Sequence, residues 1–85
     1  MNIKSIENYV QQRIILGAAI NIHFKGRLTV TGLFIRSGDY EELKSKNFWR
    51  IVHQSQLQKW RDTNDINLTR VFYGASFKSL SAKKT

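Results

Sequence analysis

The sequence predicts an α+β domain: an N-terminal helix followed by a strongly bent antiparallel sheet of five strands, closing toward a small barrel. Three observations point there. Apolar residues near the start recur every three or four positions. From residue 19 the apolar period becomes two. Glycines then punctuate the alternating stretches, where a curving sheet needs them.

The helix is expected over residues 3–16. Asn2 and Ser5 are good N-cap types. Ile3, Ile6, Val10 and Ile14 form one apolar stripe, with Glu7, Gln11 and Gln12 on the other face. Gly17 follows as a C-terminal cap. Ile20, Ile22 and Phe24 then alternate with Asn21, His23 and Lys25, the pattern of a half-buried strand. Lys25-Gly26-Arg27 reads as a turn, with the glycine supplying unusual backbone angles. Leu28, Val30, Gly32 and Phe34 continue the alternation as a second strand. Beyond Gly32 both parities are apolar, so this strand is covered on both sides near its end. Gly32 itself suggests a bulge or sharp bend.

Residues 40–46 are polar around Leu43 and form either a loop or one helical turn. Asn47 to His53 is dense in strand formers. The opposite parity of Phe48 and Trp49 sends one of them inward. Residues 54–63 carry two signals. Ser55 and Gln58 have capping-box spacing, while Leu57 and Trp60 also suit a strand; a strand continuing irregularly is preferred. Thr63-Asn64-Asp65 is a turn. Residues 66–73 alternate as a strand, with a short helix ending at Gly74 as the rival. Phe77 and Leu80 close the apolar pattern. Residues 1–80 thus make one domain, and residues 81–85 a disordered basic tail.

Size and composition narrow the function. A chain of 85 residues without cysteine or proline has a modest core, no disulfides and no thiolate metal site. No window approaches the roughly 20 apolar residues of a membrane span, and the start is too polar for a signal peptide. A cytoplasmic protein with no membrane partner is expected. The two histidines, His23 and His53, have no metal-ligand spacing, and no nucleophile elbow or glycine-rich phosphate loop is present. The clustered acids lie in turn-like sequence. Neither catalytic residues nor a metal nor a cofactor is expected, and the chain is read as no enzyme.

Lysine and arginine outnumber the acids by 14 to 6. The acids fall at Glu7, in residues 39–42 and at Asp62 and Asp65, while stretches 19–36 and 47–61 contain none. Lys25, Arg27, Arg50, Lys59 and Arg61 are therefore the candidate phosphate-binding residues. Tyr40, Trp49, Trp60 and Tyr73 are interleaved with them for base stacking, although both tryptophans are expected mostly in the core. The expected function is a binding module for RNA or DNA. The alternative is a protein-interaction or self-assembling domain that binds no nucleic acid. It would take an acidic protein partner, or form a homo-oligomer through exposed strand edges and the spare apolar parity at Leu33 and Ile35.

Residues 20–26 (INIHFKG) and 28–34 (LTVTGLF) resemble the first two strands of the Sm-like family, where a glycine lets the second strand bend. Residues 70–80 (RVFYGASFKSL) are similar to its last two strands, joined at a glycine. The resemblance covers about half the chain and implies an SH3-like barrel behind the N-terminal helix. It does not imply the family's uridine pocket. The loop after the second strand, residues 37–47, is longer and acidic at its start. The arginine of the family's last-loop arginine-glycine pair falls on Tyr73.

Overall fold

The computed structural model describes residues 1–83. Helix α1 (Ile3–Leu16) has the expected bounds. The Asn2 side chain accepts from the Ser5 amide at 2.8 Å. Gly17 closes the helix in the left-handed region at φ 65°, a conformation that glycine adopts without a Cβ penalty. Ile6 and Val10 are its fully buried residues.

Five strands follow: β1 (Ile20–Phe24), β2 (Val30–Phe34), β3 (Phe48–His53), β4 (Thr69–Tyr73) and β5 (Phe77–Ala82). They form one antiparallel sheet in the order β4-β3-β2-β1-β5. The two edge strands, β4 and β5, are joined by a 3₁₀ turn at Gly74–Ser76 and do not pair with each other. The fold is thus the expected helix and five-strand antiparallel sheet, not closed into a barrel. The sheet is nevertheless rolled. In a flat sheet β1 and β4 would lie about 14 Å apart, three strand spacings. Here the Phe24 and Phe72 rings meet across the concave face, centroids 5.9 Å apart.

The main core fills that concave face. Ile20, Ile22, Phe34, Trp49, Ile51 and Phe77 pack there with Ile6 and Val10 of α1. Trp49 is 1% exposed; its indole N–H donates to Asn47 Oδ1 at 2.8 Å, and its ring packs edge-on against Phe34 and Tyr40. A smaller core lies on the convex face, where Leu33, Ile35 and Val52 are covered by Leu57 and Trp60. This explains why β2 is apolar on both parities. It also removes Leu33 and Ile35 as a contact between copies, because they are already buried within the chain.

Residues 54–63, expected as an irregular strand, form a 3₁₀ turn (Gln54–Gln56) and helix α3 (Leu57–Thr63). The His53 side chain caps the turn by accepting from the Ser55 amide at 3.1 Å. Leu57 and Trp60, three apart, then share the face that packs on the sheet. Asn64 ends the helix at φ 52°. Residues 40–46 include helix α2 (Tyr40–Ser45), and residues 66–73 divide into a 3₁₀ turn (Ile66–Leu68) and β4. Gly26 has no positive φ, so the β1–β2 connection, residues 25–29, does not need its special freedom. Gly32 pairs regularly with Ile20 and His53; the irregularity falls at His23/Phe24 against β5. Ser81 and Ala82, expected in the basic tail, belong to β5 and pair with Asn21 and Ile20. Residues 84–85 of that tail lie outside the described residues.

Candidate nucleic-acid interface

The five basic residues singled out from sequence do not form one cluster. Lys25 and Arg27 are exposed in the β1–β2 connection. Lys59 and Arg61 are exposed on α3, over the convex face. The Arg61 guanidinium lies 3.5 Å from the carbonyl of Gly17, just before β1, whereas Lys25 directly follows it. A strand of five residues separates them by about 17 Å.

Arg50 is taken up in structure. Its side chain lies on the convex face. One guanidinium nitrogen donates to Asp39 Oδ2 at 2.7 Å and the other to Thr69 Oγ1 at 2.9 Å. Its Nε is buried without a hydrogen-bond partner among the described residues. The arginine bond and a second one from Ser37 Oγ hold the Asp39 carboxyl below its ordinary value. A carboxylate depressed by folding contributes stability above its unfolded pKa of about 3.9 and loses that contribution as pH falls through the native value. Asp39→Asn is therefore expected to destabilise the domain at neutral pH. It should also flatten the fall of thermal midpoint below about pH 4, as measured by melts across the acid range. An unchanged acid limb would exclude this ion pair as a source of acid sensitivity.

The structure builds a different site, at the end of the concave face away from the Trp49 indole. A groove of ≈ 600 Å³ opens there between the β1–β2 connection, the β3–α3 junction and β4. Val30, Ile51 and Phe72 line its apolar side, and Arg27 and Arg70 its basic side. The Arg27 guanidinium lies over the Phe24 ring, 4.6 Å from its centroid, and 5.8 Å from that of Phe72. His53, Gln56 and Asn67 supply polar groups around it. Both arginines are exposed, and neither has a carboxylate partner among the described residues.

Arg70 lies outside the two acid-free stretches, residues 19–36 and 47–61, from which the candidates are drawn. The strand register decides its direction. Arg70 stands opposite Ile51, and Phe72 opposite Trp49, so all four share the concave face. Alternation from the inward Phe72 is the signal that finds Arg70 once β4 is accepted as a strand.

The histidines have local polar partners. His53 Nδ1 lies 2.8 Å from Ser55 Oγ. His23 bridges Thr29 Oγ1 at 3.1 Å and Ser81 Oγ at 2.9 Å on the convex face. Among the described residues the Ser81–His23 pair has no carboxylate behind it, and it lies on a strand surface, not in a groove. Among the described residues no three His, Asp or Glu side chains lie close enough to hold a metal, and no helix is long and apolar enough to cross a membrane. Comparison with protein-family models, curated proteins and solved structures finds no match to this chain.

Proposed function

We propose that this chain is a non-enzymatic binding module for RNA or DNA, held in the groove between the β1–β2 connection and β4. The observation that carries the reading is the pairing of two exposed arginines, Arg27 and Arg70, with no carboxylate among the described residues to neutralise either. Guanidinium groups in that state are available to phosphate. The formal net charge of +8 raises the local concentration of any polyanion around them. Phe72 offers a ring for stacking, and Gln56 and Asn67 offer amides to base edges. A groove of ≈ 600 Å³ has the size of a small-ligand site, large enough for a nucleotide.

The test is a fluorescence-anisotropy titration with mixed-sequence RNA and DNA oligonucleotides at two salt concentrations. Arg27→Ala and Arg70→Ala are each expected to weaken binding about tenfold, as loss of a charged hydrogen bond does, and to make the salt dependence shallower. Absence of binding at low salt would end this reading. A larger effect of the Lys59→Ala/Arg61→Ala pair would move the interface to α3.

A second reading, a protein-interaction domain, has its own observation. Val71 and Tyr73 of β4 are 46% and 53% exposed, on the convex face, where Tyr73 packs against Phe48 with centroids 5.3 Å apart. An acidic partner docking there would be captured without any oligonucleotide binding.

A further inference from the structure

The backbone of β4 has a self-complementary edge. In an antiparallel ladder, consecutive residues point their amide and carbonyl groups alternately toward and away from the neighbouring strand. Two bonds fix the phase here. The Gly74 amide donates to the Asn47 carbonyl at 2.7 Å, and the Ile35 amide to the Arg50 carbonyl at 2.9 Å. Arg50 therefore turns its backbone toward β2, and Trp49 and Ile51 turn theirs toward β4. Their register partners Phe72 and Arg70 face β3 in return. Thr69, Val71 and Tyr73 then point their backbone groups outward, along an edge with no neighbouring strand among the described residues.

Two of those six outward groups are engaged within the chain. The Thr69 amide donates to the Ile66 carbonyl, and the Tyr73 carbonyl accepts from Ser76 Oγ at 2.6 Å. Four remain: the Thr69 carbonyl, both groups of Val71 and the Tyr73 amide. In an antiparallel pairing of two β4 strands about Val71, Thr69 faces Tyr73. The two engaged groups would then face each other, and every free donor would face a free acceptor.

We propose that two copies of this chain associate through β4, antiparallel about a two-fold axis at Val71, into one continuous sheet. The side chains agree with that register. On the convex face Val71 meets its own copy and Tyr73 meets Thr69, covering two exposed apolar residues. On the concave face Arg70 stands opposite the partner's Phe72, a cation against an aromatic ring. Each groove thereby gains the partner's Arg70 as a neighbour. The edge carries no lysine or proline (its sequence is TRVFY); its one charge, Arg70, is of the kind that often blocks such pairing, and in this register it is met by the partner's Phe72. The open cleft beside it, along Arg27, Phe24 and Ser76, leaves it uncovered. The interface is isologous and closes at two copies. Repulsion between two chains of +8 each makes it stronger as salt rises.

The test is the mass of the full chain in solution, by light scattering over a concentration series, without oligonucleotide. The wild type is expected to be dimeric, more so at higher salt. Val71→Pro removes an outward amide that no strand of its own chain uses, so it is expected to abolish the dimer while the far-ultraviolet spectrum is kept. Val71→Lys provides the same test without a backbone change. The chain has no cysteine, so Val71→Cys places one thiol at the axis. A short bis-maleimide should join two such chains, but not two Lys78→Cys chains, whose thiol lies on β5. A monomeric wild type would overturn the proposal and leave the edge to an extended peptide. A dimer that survives both Val71→Pro and Val71→Lys would overturn it equally, as would a Val71→Cys chain that cross-links no faster than Lys78→Cys.

Discussion

Trp49→Ala is expected to leave the chain largely unfolded at room temperature. The indole is 1% exposed at the point where α1, α2 and the rolled sheet converge. Its removal deletes the edge-on contacts with Phe34 and Tyr40 and opens a cavity that α1, anchored through Ile6 and Val10, cannot easily refill. Truncating a buried aromatic in this way costs about 3–5 kcal/mol. The change also strips Asn47 Oδ1 of its indole donor. Asn47 is held at φ 63° and ties this corner together, since its side-chain amide donates to the Met1 carbonyl at 3.1 Å and its own carbonyl accepts from Gly74. A small domain near the lower end of the usual range of about 5–15 kcal/mol has little left after such a loss. Circular dichroism melts of the wild type and the variant test this, and a cooperative transition within a few degrees of wild type would show that the indole is not central to the core. Trp49→Phe keeps most of the volume and is expected to fold with a reduced midpoint.

Gly32→Ala is the second large effect, and its origin is steric. A Cβ at Gly32 would stand 2.5 Å from the backbone oxygen of Val52 and 2.7 Å from Ile51 Cγ2. The nearer obstacle is main chain, in a strand that is paired on both sides, so it cannot rotate away as a side-chain tip does. Either β2 and β3 separate, or the roll of the sheet opens. An expected cost of about 3 kcal/mol sits at the upper end of the overpacking range. The internal control is Gly38→Ala, where nothing lies within 4 Å of the added atom and little change is expected. Urea unfolding of the three proteins measures the difference. Equal midpoints for Gly32→Ala and Gly38→Ala would mean the strands yield more readily than this contact allows.

Much of this architecture was legible in the residues, because each legible piece is governed by near neighbours. The bounds of α1 followed from a stripe at helical spacing with a cap at each end. The alternation in β1 and the opposite parity of Phe48 and Trp49 told inside from outside. The pieces that were not legible depend on partners distant in sequence. Residues 54–63 became a helix because Leu57 and Trp60 find the convex face of β2 and β3, and because His53, an ordinary strand residue by type, turns its ring back onto the Ser55 amide. Arg50 looked free because Asp39, its partner, lies across a connection whose path the sequence does not specify. The groove was hidden for the same reason. Arg27 and Arg70 are 43 positions apart, and only the roll of the sheet brings them to one site.

The two cores are separated by a single layer of backbone, and this orders how the molecule loosens. The inner strands β2 and β3 have side chains packed above and below them, so both layers must release before their amides meet water. The convex layer is the weaker. It rests on one short helix, α3, attached chiefly through Leu57 and Trp60. Detachment of α3 is a sub-global opening that leaves the concave layer and its aromatic cluster standing. It would briefly expose Leu33 and Ile35 and loosen the groove at Ser55 and Gln56, in the junction that joins α3 to β3. Breathing of the convex surface is therefore felt in the groove through that junction, while the aromatic cluster of the concave core stays packed.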